Sequence, residues 1–380
     1  MTPRSTEVVV VGAGPVGLAV AVGLRLHGHD VVLIDKLAEG TNTSRACVIH
    51  PRTLEVLEPL GVTKELVERG LELEDFTIRA GSRKLIPVGF EDLPTDYPFV
   101  TMIPQPVTEQ VLLERLQELG GTVLRPYAAT GLTQNADGAK VTLDNGDVIQ
   151  AQYVVAADGM NSTTRELAGL RMPGNTLELS LSLVDIRVES GLPTDEVGLY
   201  FAASGLLVVA PLPDGSFRLV GEVHDAPEHP DIAFAQQLVD DRGPRKAHPK
   251  VTEVVWGSRF RIHERVADEY RSGRVLLAGD AAHTHSPAGG QGMNLGLRDA
   301  VALADALSQA LKGDDSDLDT YATNSRAEAV RVIGLAHRLT RLANVPPAIR
   351  PVRNAVLSIV GRVGKAQTGL AKQLAGFPER

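Results

Sequence analysis

The sequence predicts an α/β fold in which a nucleotide-binding domain is split along the chain, carries an inserted antiparallel sheet, and ends in a helical arm. Three observations predict this. An apolar run at residues 8–11 leads into Gly12-x-Gly14-x-x-Gly17 and an Ala/Leu-rich segment, which reads as strand, turn and helix. A second apolar run at 275–278 reaches Gly279 and Asp280, then a glycine-rich stretch and a helical pattern. Between them, residues 177–266 alternate in short strands punctuated by turn residues.

The glycines of the first motif have separate tasks. Gly12 permits the tight turn, Gly14 lets a pyrophosphate approach the backbone, and Gly17 allows close helix–strand packing. Residues 30–35 read as the next strand, and Asp35 stands where a carboxylate can bond a ribose hydroxyl. Arg45 falls in a loop where it can pair with a phosphate, although alone it reads as a solvated surface charge. Cys47 reads as a small packing residue, and Pro51 opens a helix with Arg52 and Glu55 on one side. Residues 76–99 suggest strands or an extended excursion. Gln105 precedes a helix over 107–119 that Thr108 can cap and Gly120 and Gly121 stop. A strand follows at 122–126, then a hairpin of 140–143 and 148–152 around Asn145-Gly146. Residues 153–165 repeat strand, turn and helix, with Asp158-Gly159 as the turn and Asn161 or Ser162 as cap.

In the inserted layer, 179–188, 197–201, 206–211, 217–223 and 251–262 read as strands, with 230–249 a helix and charged loop. The core strands resume at Arg274. From Asn294, the spacing of Leu295, Leu297, Val301, Leu303 and Leu307 predicts a helix whose positive end faces whatever sits over the glycines. That suits a ligand developing negative charge. The resulting division is 1–75, 100–172 and 268–325 for the nucleotide domain, 76–99 and 173–267 for the sheet domain, and 326–380 for the arm, with a ligand cleft between the first two.

Composition narrows the function classes. The chain has 380 residues, enough for two domains, and a net charge of −9 argues against nucleic-acid binding. The single cysteine excludes an internal disulfide and a paired-cysteine redox centre, and fits a reducing, cytoplasmic setting. No signal-peptide core or spanning apolar run is read. Asp314, Asp315, Asp317 and Asp319 read as a solvated loop. Residues 325–380 hold ten Lys/Arg against two acids, so the arm is expected to pack on an acidic body, with a peripheral membrane contact or an oligomer interface as the minority alternative.

Three fingerprints in order, Gly12-x-Gly14-x-x-Gly17, Asp158-Gly159 and Gly279-Asp280, make the chain resemble the class A flavoprotein monooxygenases. This aromatic-hydroxylase group includes p-hydroxybenzoate hydroxylase, polyketide hydroxylases and tetracycline-inactivating monooxygenases. The resemblance implies a Rossmann-type, glutathione-reductase-like domain holding FAD non-covalently. It assigns Gly12, Gly14, Pro15, Val16 and Gly17 to the pyrophosphate, and Asp35 and Lys36 to the adenosine end. Arg45, Gln105, Asp158, Gly279 and Asp280 fall to other parts of the cofactor, and Pro287, Gly290, Gly292, Met293 and Asn294 to the flavin ring. Pro287 and Gly290 are the implied environment of the reacting ring, with no side-chain base.

The implied reaction consumes NADPH or NADH and O2, passes through a flavin C4a-hydroperoxide, and hydroxylates an aromatic or polycyclic phenol of polyketide or antibiotic type. Expected substrate walls are Phe201, Leu207, Pro211, Phe217 and Arg218, with either strand face possible. His283 and His285 flank the flavin loop in a structural role. No metal site is expected, and the protein is expected to be a monomer or homodimer. A flavin-dependent halogenase is disfavoured, because Trp256 is the only tryptophan. A reductase or oxidase without oxygen transfer and a non-catalytic FAD-binding protein stay open.

Overall fold

The computed structural model describes residues 2–40, 46–223, 226–244, 246–286 and 289–377. The first sheet is built on the strand Ser5–Val11, whose valines at 8, 9 and 10 are wholly buried. It pairs in parallel with Val31–Ile34 on one side and Val148–Ala156 on the other, so that Val10 stands between Leu33 and Val155. Val123–Leu124 and Val275–Leu277 extend the parallel set outward. Continuous β-branched runs suit strands covered on both faces. The helices Pro15–Leu26 and Gly292–Leu311 share one of those faces. They approach so closely that a Cβ on Gly23 would come within 2.6 Å of the Ala304 Cβ.

The second sheet has eight strands among the described residues. Its order runs from the edge strand His283–Thr284 through Val251–Val266, Gly174–Val188, Phe217–Val223, Gly205–Pro211, Glu196–Ala202 and Asp75–Ala80 to Arg83–Gly89. All neighbours are antiparallel except Glu196–Ala202 with Asp75–Ala80. The pairing of Arg265 with Thr284 brings this sheet's edge to the turn that follows Val275–Leu277, which places the second sheet beside the first sheet's strand ends.

Three elements differ from their sequence reading. The hairpin strand at 148–152 and the core strand at 153 onward are one strand, Val148–Ala156, which pairs with Ala139–Leu143 early and with Ser5–Val11 from Gln150 onward. The acidic run is a helix start: Asp317 and Asp319 occupy the first turn of Ser316–Ala343, where carboxylates favour the helix dipole, and Arg271 pairs with Asp315 and Asp319. That same helix crosses the expected 325/326 boundary without a break.

The arm continues as Arg350–Val360 and Gly364–Ala375. It packs by apolar contact rather than by charge. Leu357, Ala371 and Leu374 are buried with Leu85, Ile86 and Val88 of the second sheet, while Arg341, Arg362 and Lys365 face solvent. No helix among the described residues is long and apolar enough to cross a membrane.

Candidate active site

A cavity of about 730 Å3 lies between the two sheets. One end is walled by Gly12, Gly14, Pro15, Val16, Asp35 and Lys36, and the middle by Asp158, Gly159, Asp280, Gly290, Gly292 and Met293. The far end is mostly apolar, walled by Phe76, Val100, Met102, Val208, Ala210, Val220, Phe260 and Ile262, with Arg218, Arg261 and His263 among them.

At the first end, three glycines do three different things. Gly12 adopts a φ of +102°, and a Cβ there would lie 2.3 Å from the Ala157 carbonyl oxygen. A Cβ on Gly17 would lie 1.8 Å from the Gly12 oxygen, so this glycine lets the helix close on the strand and is not on the cavity wall. Gly14 meets nothing within 4 Å, which leaves its backbone open to a ligand. It is the N-cap of Pro15–Leu26, and no side chain caps that helix or places an acid in its first turn. Uncapped N–H groups and the positive end of the dipole thus face the cavity. Asp35 accepts the Ala13 N–H at 2.7 Å and the Leu37 N–H at 2.8 Å, which fixes its carboxylate at the wall. Gln105 lines the cavity, accepts the Ala46 N–H at 3.3 Å and donates to Glu109 at 2.9 Å. Burial raises the Glu109 pKa.

In the middle, Asp158 points its carboxylate into its own corner. It accepts the Ser162 hydroxyl, and the Thr164 N–H and hydroxyl at 3.0 Å each, while Ser162 caps the short helix Thr163–Leu167. Gly159, at φ +81°, meets nothing within 4 Å and carries the open surface here. Arg165 is buried and donates to the Met160 and Ala281 carbonyls at 3.1 and 3.0 Å, which ties this corner to the turn containing Asp280. Gly279 itself packs under Val16, away from the cavity wall.

The helix Gly292–Leu311 begins at the wall, again with no capping side chain and no acid in its first turn. Asn294 is wholly buried rather than exposed to the cavity. Its amide donates to the Val48 and Gly290 carbonyls at 2.9 Å and accepts the His50 N–H at 2.8 Å. His50, whose ring no sequence motif marks, donates from Nε2 to the Gly289 carbonyl at 2.9 Å. Burial, with a smaller push from Arg298, lowers its pKa to about 4, so the ring is neutral. His283 bonds Asp299 at 2.6 Å, both buried, and His285 bonds the Ser286 carbonyl at 2.8 Å. Arg45 and Pro287 lie outside the described residues.

At the apolar end, Arg218 is the one expected substrate wall that lines the cavity. It is 1 % exposed, holds Asp185 through two bonds of 2.8 Å, and donates to the Ala46 carbonyl at 3.2 Å. Burial pushes the neighbouring Cys47 thiol up, and Arg218 opposes that push. The other four expected walls are elsewhere. Leu207 and Phe217 are packed on the sheet's far face with Val239 of the helix Ile232–Arg242, and strand alternation puts Pro211 on that side too. Phe201 shares the near face but is buried beyond the cavity under Arg353, 5.0 Å away. Val208, Ala210 and Val220 take their place. Phe260 and Ile262 join them, on a strand where Arg261 and His263 also line the cavity, so alternation gave no signal for this pair.

With this geometry in place, comparison with known proteins is direct. Residues 5–336 match the FAD binding domain family. The chain is 38% identical over 373 residues to a 6-methylpretetramide 4-monooxygenase of Streptomyces rimosus, covering 94% of this chain and 64% of that protein. It is 36% identical over 363 residues to a rifampicin monooxygenase of Streptomyces venezuelae, covering 93% and 75%. The crystal structure of p-nitrophenol 4-monooxygenase from Pseudomonas putida superposes with a TM-score of 0.88 at 26% identity, covering the whole of both chains. The fold and the family match therefore define an FAD-binding protein. The chain belongs to the FAD binding domain family, in its class A FAD-dependent aromatic monooxygenase group. It spans just under two thirds of the first relative's length and three quarters of the second's.

Proposed function

We propose that this chain hydroxylates a bulky aromatic or polycyclic phenol, with FAD bound in the cavity, NAD(P)H as reductant and O2 as the source of the inserted atom. The observation that carries the reading is the continuity of one cavity of about 730 Å3 from an open glycine turn to an apolar sheet wall. Its residues fit FAD. Gly14 and the N–H groups opening Pro15–Leu26 would hold the pyrophosphate, Asp35 an adenosine ribose hydroxyl, and Asp280 the ribityl region. Gly290, Gly292 and Met293 would lie along the ring. Bound FAD supplies the redox chemistry, taking electrons from NAD(P)H and activating oxygen for transfer to the substrate.

The protein's own contribution is position and field. The uncapped end of Gly292–Leu311 would stabilise negative charge developing on a bound flavin. Val208, Ala210, Val220, Phe260 and Ile262 exclude water and present a flat apolar wall to the substrate. No side-chain base is assigned. The rifampicin and 6-methylpretetramide names of the relatives support a polycyclic substrate class. The test is anaerobic mixing of FAD-loaded protein with NADPH, with and without a panel of polycyclic phenols, followed by aeration and mass analysis. Substrate-accelerated reduction and a product heavier by one oxygen are expected. Reduction without an oxygenated product from any phenol would leave a reductase, and a colourless protein that cannot take up flavin removes the reading altogether.

A further inference from the structure

We infer that the C-terminal helix Gly364–Ala375 is a strut for the cofactor loop, acting through Gln291 and Arg298. The inference rests on the FAD reading above. The loop residues 289–291 are held on one side by the His50 ring on the Gly289 carbonyl and the buried Asn294 amide on the Gly290 carbonyl. From behind they are held by the arm. The side chain of Leu374 lies 3.6 Å from where a Cβ on Gly289 would stand, with Leu339 beside it at 3.9 Å.

Two donors from the start of Gly292–Leu311 then grip the end of the arm. Gln291 Nε2 donates to the Leu374 carbonyl at 2.6 Å, and Arg298 Nη1 donates to the Gly376 carbonyl at 3.0 Å. Leu374 lies in the helix's last turn, whose carbonyls have no partner within the helix and carry the negative end of its dipole, and Gly376 is the left-handed C-cap just beyond it. A buried amide and a guanidinium are the groups that satisfy them, and neither side can leave without stranding the other. Gln291 is 2 % exposed, and burial lowers the Arg298 pKa. Neither residue lines the cavity, so both act by positioning the loop that does.

The experiment uses the full chain, stripped of flavin, with Gln291→Met, Arg298→Met and Arg298→Lys, and Leu219→Ala as a core control in the second sheet's far layer. FAD affinity is read by fluorescence titration, the environment of the bound ring by its visible absorption bands, and stability by melting of the apoprotein. Gln291→Met and Arg298→Met are expected to weaken FAD binding about tenfold or more and to shift the absorption bands. Arg298→Lys retains most of the affinity. Leu219→Ala lowers the melting temperature yet leaves affinity within about twofold. If a methionine variant does not fold, Gln291→Asn, which withdraws the donor by one methylene, is read in the same way. Unchanged affinity and bands in the Gln291 and Arg298 variants overturn the strut, as does an equal loss in Leu219→Ala. Failure of the unmodified protein to bind FAD overturns the cofactor reading on which it rests.

Discussion

Replacing each glycine of the first turn by alanine separates folding from ligand binding within six residues of chain. Gly14→Ala is the informative change. Its backbone sits at φ −75° and ψ −176°, open to any residue, and the added methyl meets nothing within 4 Å. Restricting the unfolded chain favours alanine by about 0.4–1 kcal/mol, and losing a glycine N-cap costs about as much. The apoprotein should therefore melt within a few degrees of the parent. The methyl instead occupies the space through which a pyrophosphate reaches the backbone, so FAD affinity should fall at least tenfold, about 1.4 kcal/mol. Gly12→Ala, with φ +102° and a 2.3 Å approach to Ala157, and Gly17→Ala, 1.8 Å from Gly12, should damage the fold itself. Melting of the flavin-free proteins and FAD titration by fluorescence measure both effects. Gly14→Ala protein that binds FAD within about threefold of the parent, or melts as low as Gly12→Ala, refutes the assignment of Gly14 to the ligand.

Arg218→Met strands the buried Asp185 carboxylate and should cost about 3–5 kcal/mol in urea denaturation, with Asp185→Leu in the same chain recovering part of it. The neutral His50 sets a pH dependence. Its folded pKa, about 4, lies below the unfolded value of 6.5, so the unfolded chain binds the extra proton first and stability falls as pH drops through that window. Denaturation midpoints at pH 5 and pH 7 should draw closer together in His50→Gln, and an unchanged gap counts against it. Val220→Trp should narrow the cavity and raise KM for bulky phenols while FAD affinity holds. Leu207→Ala, on the far face, should cost about 2–5 kcal/mol of stability with no change in substrate preference, and the opposite pattern would put the substrate on the wrong side of this sheet.

The parts of the site legible in the sequence are those set by local sterics. Gly12, Gly14 and Gly17 take different tasks on spacing alone, because turn, approach and packing are decided within a few residues. Asp158 shows where that reasoning stops. A carboxylate before a glycine at a strand end can face a ligand or bond its own helix, and here it lines the cavity while Ser162 and Thr164 reach back to it, a contact the motif does not announce. The substrate walls fail for a different reason. Alternation along 206–211 and 217–223 yields two faces, but which face meets the cavity depends on the helix Ile232–Arg242 covering the other, a packing choice that alternation does not encode.

The arm makes the same point about charge. Ten basic residues against two acids suggest a segment held by ion pairs, yet exposed pairs contribute little, most of the described basic groups stay in water, and the buried Arg353 bonds the Leu342 and Ala343 carbonyls rather than an acid. What holds the arm is the minority of apolar positions, Leu339, Leu357, Ala371 and Leu374, together with two carbonyls that find donors on another helix. A count of charges reports which surface remains solvated after packing. The spacing of leucines and the unmet carbonyls of a helix end report where packing occurs, and in this chain they lead to the back of the glycine loop.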